Sequence, residues 1–133
     1  MGEPRIVIVG AGPAGVRCAQ TVLAAGIRPV VIDEGTCDGG QIYRCQPEGF
    51  ARPYAKLYST EAARAEDLHR SFERLRARLD YRPRTLAWNI ARDTLHVVRD
   101  GHASTVPYDA LILCPGATDR LMPVKGWRQF AGT

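Results

Sequence analysis

No apolar run in this 133-residue chain approaches the roughly 18 residues that a membrane-spanning helix needs; the longest, such as Ile6 to Val9 and Leu111 to Cys114, fall far short. No apolar segment with a small-residue cleavage site precedes the strand-like run that starts at Arg5, so no secretory leader is expected and a cytoplasmic setting is. Charge of one sign is never concentrated. The net charge of +4 is spread thinly, with no basic block and no basic helix interleaved with aromatics, which argues against a nucleic-acid partner. Cysteine is sparse: Cys18, Cys37, Cys45 and Cys114 are irregularly spaced, with no CxxC, and read as reduced thiols. Neither they nor His69, His96 and His102 fall at zinc-ligand spacings, so no metal site is expected. Internal repeats and low-complexity tracts are also missing. What remains is the composition of an ordinary globular chain, 45% hydrophobic and 24% charged, at a length that suggests one domain.

The elements follow from periodicity. Arg5-Ile6-Val7-Ile8-Val9 is apolar and β-branched throughout, as in a parallel strand buried on both faces. It leads into GAGPAG at 10–15. From Pro13 to about Ala25 the apolar positions Val16, Ala19, Val22 and Leu23 form one helical stripe, with Pro13 suited to the first turn and Gly26 to the stop. A second buried strand spans Pro29 to Ile32 and closes on Asp33 and Glu34. Residues 35–56 read as a long functional loop, since a compact domain rarely carries one without a use. An amphipathic helix, in one or two pieces, is expected over 55–80, with Leu68, Phe72, Leu75 and Leu79 inward and Glu66, Arg70 and Arg74 on the wet face. Three short strands within 84–107, with turns at Arg92-Asp93 and Asp100-Gly101, read as an antiparallel β-meander. Ala110 to Cys114 is a further buried strand, ending in Pro115-Gly116-Ala117.

A bare GxGxxG is weak evidence, but here it follows a buried strand, opens a helix and precedes an acid at the end of the next strand. Gly10 suits the tight turn, Gly12 a close approach of backbone to a pyrophosphate, and Gly15 the packing of helix on sheet. The helix N-terminus offers unpaired N–H groups to the phosphates. Asp33, 18 residues beyond Gly15, is placed to accept the hydroxyls of an adenosine ribose and to repel a 2′-phosphate; Glu34 touches the adenosine or faces water. The fold class expected is therefore α/β, Rossmann-like, with a parallel sheet, a crossover helix and a three-strand antiparallel meander. The dinucleotide is FAD or, as the alternative, NAD. A second glycine pair, Gly39-Gly40, the helix-plus-meander insertion and the later strand ending in CPGA favour FAD.

The run VVIDEGTCDGGQIYR at 30–44, with GAGPAG and LILCPGATDRLMPVKGW at 111–127, resembles the N-terminal, FAD-binding part of flavoproteins with two dinucleotide-binding domains. Within that group it is most similar to the A subunit of opine oxidases and its relatives in hydrogen cyanide synthase and amino-acid dehydrogenase complexes. The resemblance implies that Gly10, Gly12, Pro13, Ala14 and Gly15 lie on the FAD pyrophosphate and that Asp33 holds the ribose. It also implies that Gly40 and Gln41 pass near the flavin, that Arg44 makes a charge contact and that main chain near Leu86 meets the adenine edge. Cys114-Pro115-Gly116 would mark the exit from the FAD domain.

Departures from the pattern are as informative. The family more often has Ala-Thr-Gly at that exit. Disulfide-reducing members carry CxxxxC just after the glycine pair, whereas Cys37 and Cys45 straddle it with seven residues between, leaving thiolate chemistry without a partner at the right spacing. No acid, base or nucleophile stands out, and the histidines have ordinary surface explanations. Beyond Gly126-Trp127 the relatives usually read Leu-Pro-Gly-Val, and this chain does not. The resemblance implies a 1–133 domain incomplete relative to the family, an FAD-binding component of an amine-oxidising oxidoreductase that relays electrons from a partner-subunit site. A non-catalytic or truncated dinucleotide-binding module, and an NAD-binding dehydrogenase domain, are the alternatives.

Overall fold

The computed structural model describes residues 2–118; the Gly126-Trp127 reading, like all of 119–133, lies outside them. Four strands form a parallel sheet in the order β3-β2-β1-β7: β1 (Ile6–Val9), β2 (Val30–Ile32), β3 (Asp80–Arg82) and β7 (Ala110–Leu113). The register sets Ile8 opposite both Val31 and Ile112, and Val7 opposite both Val30 and Leu111.

Because side chains alternate along a strand, β1 and β2 feed two cores. Ile8 and Val31 face a helical layer and pack with Val16, Ala19 and Leu23 of α1 (Pro13–Ala24) and with Leu68 and Phe72 of α3 (Ala62–Arg76). Val7, Val30 and Ile32 face the other way. They pack with Leu95, Val97 and Val106 of an antiparallel meander, β4 (Thr85–Ala91), β5 (Thr94–Arg99) and β6 (His102–Pro107). Burial on both faces is why the first strands are continuously apolar, and each such side chain contributes about 1.5–3 kcal/mol. The α/β class, parallel sheet, crossover helix and meander expected from the sequence are all present.

Local signals fix the ends. Pro13 opens α1; Gly26, at φ +82°, closes it while the Ile27 N–H returns to the Val22 carbonyl at 3.2 Å. Two-residue turns join the meander, and Asp100 and Gly101 both take positive φ. The meander is rooted at the end of β2, where Thr85 N–H donates to the Asp33 carbonyl at 2.9 Å and Arg84 N–H to that of Gly35 at 2.8 Å.

One expectation needs correction. The helix read over 55–80 is α2 (Tyr54–Tyr58), a single 3-10 turn at Ser59–Glu61, and α3, which stops at Arg76. Its supposed last residue opens a strand instead: Asp80 N–H donates to the Pro29 carbonyl at 3.0 Å, and β3 pairs with β2. Leu79 misled because it is buried with Leu68 and Phe72, so helical spacing gave its face correctly and its element wrongly. Among the described residues no helix is long and apolar enough to cross a membrane.

Candidate functional site

The glycine turn is held by backbone contacts that only glycine permits. Gly10 takes φ +104° and its N–H donates to the Ile32 carbonyl at 2.7 Å; a Cβ there would lie 2.0 Å from the Cys114 carbonyl oxygen. A Cβ on Gly15 would lie 1.7 Å from the Gly10 carbonyl oxygen. Gly12 caps α1 with no side-chain hydrogen bond, and the first turn carries no acidic residue. With Pro13 at the first position and Ala14 exposed, the positive end of the helix is open to an anion.

Asp33 ties this turn to the loop beyond β2. Its Oδ2 accepts the Ala11 N–H and its Oδ1 the Gly35 N–H, each at 2.6 Å. Each oxygen keeps a further lone-pair direction. Glu34 is exposed, and Leu86, also exposed, follows the Thr85 amide that bonds to Asp33. These three therefore gather at the end of β2.

The second glycine pair closes onto the first turn. Gly39 N–H donates to the Ala11 carbonyl at 2.9 Å, and Gly40, at φ +62°, stands so that a Cβ would meet the Gly12 Cα at 3.1 Å. The missing side chain of Gly40 thus allows the close approach, whereas a Cβ on Gly12 would meet the Gly40 Cα at an ordinary 3.7 Å. Gln41 is exposed and its side-chain carbonyl accepts the Arg44 guanidinium. Arg44 lies instead along a shallow groove with Ile42, Phe50, Leu57 and Tyr58, which no residue of the glycine turn borders. On the other side, Cys114 N–H donates to the Val9 carbonyl at 2.7 Å, and Gly116 is exposed at φ +72°. Burial, with Cys18 as neighbour, raises the pKa of the Cys114 thiol.

Sequence reasoning missed a buried cluster beside this loop. A surface explanation does not hold for His69, whose side chain is 12% exposed, with that of Asp38 at 11%. His69 Nδ1 lies 2.9 Å from Asp38 Oδ2 and 3.7 Å from Cys45 Sγ. The available signal was position: His69 is four residues after Ala65 and three before Phe72, on the buried stripe of α3. Burial, then Cys37 and the Asp38 charge, push the Cys45 thiol far above the usual range, which leaves it a poor nucleophile by itself.

Against known proteins, the family model for pyridine nucleotide-disulphide oxidoreductase matches residues 4–133. The opine oxidase A-subunit of Rhizobium meliloti is 36% identical over 132 residues, 92% of this chain and 24% of that protein. Hydrogen cyanide synthase subunit HcnB of Pseudomonas protegens is 31% identical over 125 residues, 91% of this chain and 26% of that protein. The chain spans about a quarter of the length of these curated relatives. Among solved structures, L-proline dehydrogenase from P. horikoshii shares the fold with a TM-score of 0.68 at 20% identity, covering 91% of this chain and 24% of that one. These matches support FAD as the dinucleotide of the site. The residues present fit it: an uncapped helix end faces two glycine loops in backbone contact, and no side chain caps that end.

Proposed function

The chain belongs to the pyridine nucleotide-disulphide oxidoreductase family, and within it we propose that it supplies the FAD site of an oxidoreductase acting on amines such as opines or amino acids. Amine chemistry is supported by the names of the relatives, and the reading includes a partner subunit that carries the amine site while this chain relays electrons. When bound, FAD accepts two electrons as hydride from a carbon bearing nitrogen. The chain's own residues bind and orient. Backbone N–H groups of Ala14 and Gly15 face the pyrophosphate, while Gly10, Gly12 and Pro13 shape the turn beneath it. Asp33 accepts ribose hydroxyls on its remaining lone pairs, with Glu34 and the main chain at Leu86 beside the adenosine. Gly40 and Gln41 run along the flavin side, Arg44 adds a positive charge further out, and Cys114 and Gly116 border the turn from β7. A cytoplasmic setting belongs to this reading, supported by four free cysteines.

The observation that carries the proposal is the junction at Ala11, where Asp33 and Gly39 bring the ribose acid and the second glycine loop onto one turn. The test is an absorbance spectrum of the purified chain, alone and coexpressed with a candidate partner subunit, before and after an amine substrate is added. A flavin spectrum that bleaches with the amine is the expected result. A colourless protein that takes up no FAD, or one that binds NAD more tightly in titration, would overturn it. Flavin uptake without bleaching would favour the non-catalytic module.

A further inference from the structure

Asp38 and Cys45 stand at the two ends of the loop that carries Gly39, Gly40 and Gln41, and His69 reaches them from α3. Their ligand atoms lie within 4.8 Å of one another, largely out of solvent. The separations are 2.9 Å from Nδ1 to Asp38 Oδ2, 3.7 Å from Nδ1 to Cys45 Sγ and 4.0 Å from that sulfur to Asp38 Oδ1. Tetrahedral zinc, with bonds of about 2.0–2.3 Å, sets its donors about 3.3–3.8 Å apart, so the three groups need move by less than about 1 Å.

A hydrogen-bond relay would use both ring nitrogens, with the carboxylate on one and the sulfur on the other. Here both face Nδ1, and Nε2 is buried without a hydrogen-bond partner. The ring packs against Tyr54 and Tyr58, at centroid distances of 5.9 and 6.3 Å. At 2.9 Å from a carboxylate oxygen, which only accepts, Nδ1 either carries a proton or shares a cation with it, and a divalent cation can take that proton's place. A thiolate, a carboxylate and a neutral imidazole also balance a divalent charge, so the set enters the interior without net charge.

We propose that Asp38, Cys45 and His69 bind one zinc-class divalent cation, which clasps both ends of the 39–44 loop onto α3 and leaves the fourth tetrahedral position to water. The site adjoins the dinucleotide cradle at Gly39 but uses none of its residues, and it is tested without flavin. The whole 133-residue chain, prepared metal-free under reducing conditions, is titrated with cobalt(II) and then zinc(II). Expected are the visible bands of tetrahedral cobalt with a near-ultraviolet thiolate charge-transfer band, at one equivalent, both lost when zinc is added. Cys45→Ser should abolish the charge-transfer band, and Asp38→Asn and His69→Gln should each weaken cobalt binding by at least about tenfold. Cys18→Ser, away from the cluster, should bind as the parent does. Zinc should also raise the melting temperature of the parent and not that of Asp38→Asn, which keeps the test readable should Cys45→Ser misfold. No tetrahedral cobalt spectrum in the parent would leave a plain Asp38–His69 hydrogen bond, and an unchanged one in Asp38→Asn would put the metal elsewhere; either overturns the proposal.

Discussion

The glycine turn at 10–15 and the loop at 35–53 meet at Ala11, but they are specified in opposite ways. The turn is built mostly from its own neighbours: Gly15 is forced by the Gly10 carbonyl five residues earlier, while Gly10 is also forced by the Cys114 carbonyl at the end of β7. The loop is built partly from afar. A Cβ on Gly39 would lie 2.0 Å from the Tyr43 carbonyl oxygen within the loop but also 2.7 Å from His69 Cε1, and Asp38 bonds a ring 31 residues away. The first region therefore rests on β1, α1, β2 and β7, whereas the second also requires α3 to be seated.

The strongest way to break that contrast is to strike the turn itself. Gly15→Val puts a side chain into the Gly10 carbonyl, where only backbone can move, and should cost about 4 kcal/mol or more, enough to abolish a cooperative melt by circular dichroism. A stable, cooperatively melting Gly15→Val would show that the turn is not locally determined. Next comes α3. Phe72 is buried against the sheet and meets Tyr81 edge to face at a centroid distance of 4.9 Å. Phe72→Ala should cost about 3–4 kcal/mol in urea unfolding. Limited proteolysis should then cut within 35–53 before it cuts near Gly10, and the reverse order would sink the contrast.

Asp33 joins the two regions, one oxygen on each. In Asp33→Asn the amide NH2 must face either the Ala11 or the Gly35 N–H, so one hydrogen bond to a charged acceptor becomes a clash of donors. A stability loss of about 1.5–3 kcal/mol and an FAD dissociation constant raised by about tenfold are expected, from chemical unfolding and flavin fluorescence. Lost stability with unchanged FAD affinity would make Asp33 a tie between loops and not a ribose acceptor.

How much of this was legible follows the same division. The strand, turn, helix and strand from Arg5 to Ile32 were readable because each signal sits within a few residues of what it controls, and the meander because its two-residue turns announce it. β3 was not, since Asp80-Tyr81-Arg82 has no strand pattern of its own and pairs with a strand fifty residues earlier in the chain. The Asp38, Cys45 and His69 cluster was hidden for a related reason. Ligand spacing is a rule about local motifs, and here a loop and a helix supply the donors from 24 to 31 residues apart.

The smallest effect tests the strand that local reasoning missed. Asp80 lies on β3, and the hydrogen bond from Arg82, aided by the charges of Arg82, Arg28 and Arg5, holds its carboxyl below the ordinary value of 3.8. A carboxyl lowered in the folded state stabilises the fold above its unfolded pKa, and that contribution is lost as pH falls through the lower, folded value. The pair is 32% and 40% exposed, so solvent screens it and the gain is under about 1 kcal/mol. Asp80→Asn should therefore leave a slightly lower stability at neutral pH and a shallower decline below pH 3.8, read from urea midpoints across an acid series. An equally steep decline would mean that Arg82 does not hold Asp80 at the edge of the parallel sheet, and that β3 is kept there by its backbone ladder and by Leu79 and Tyr81 alone.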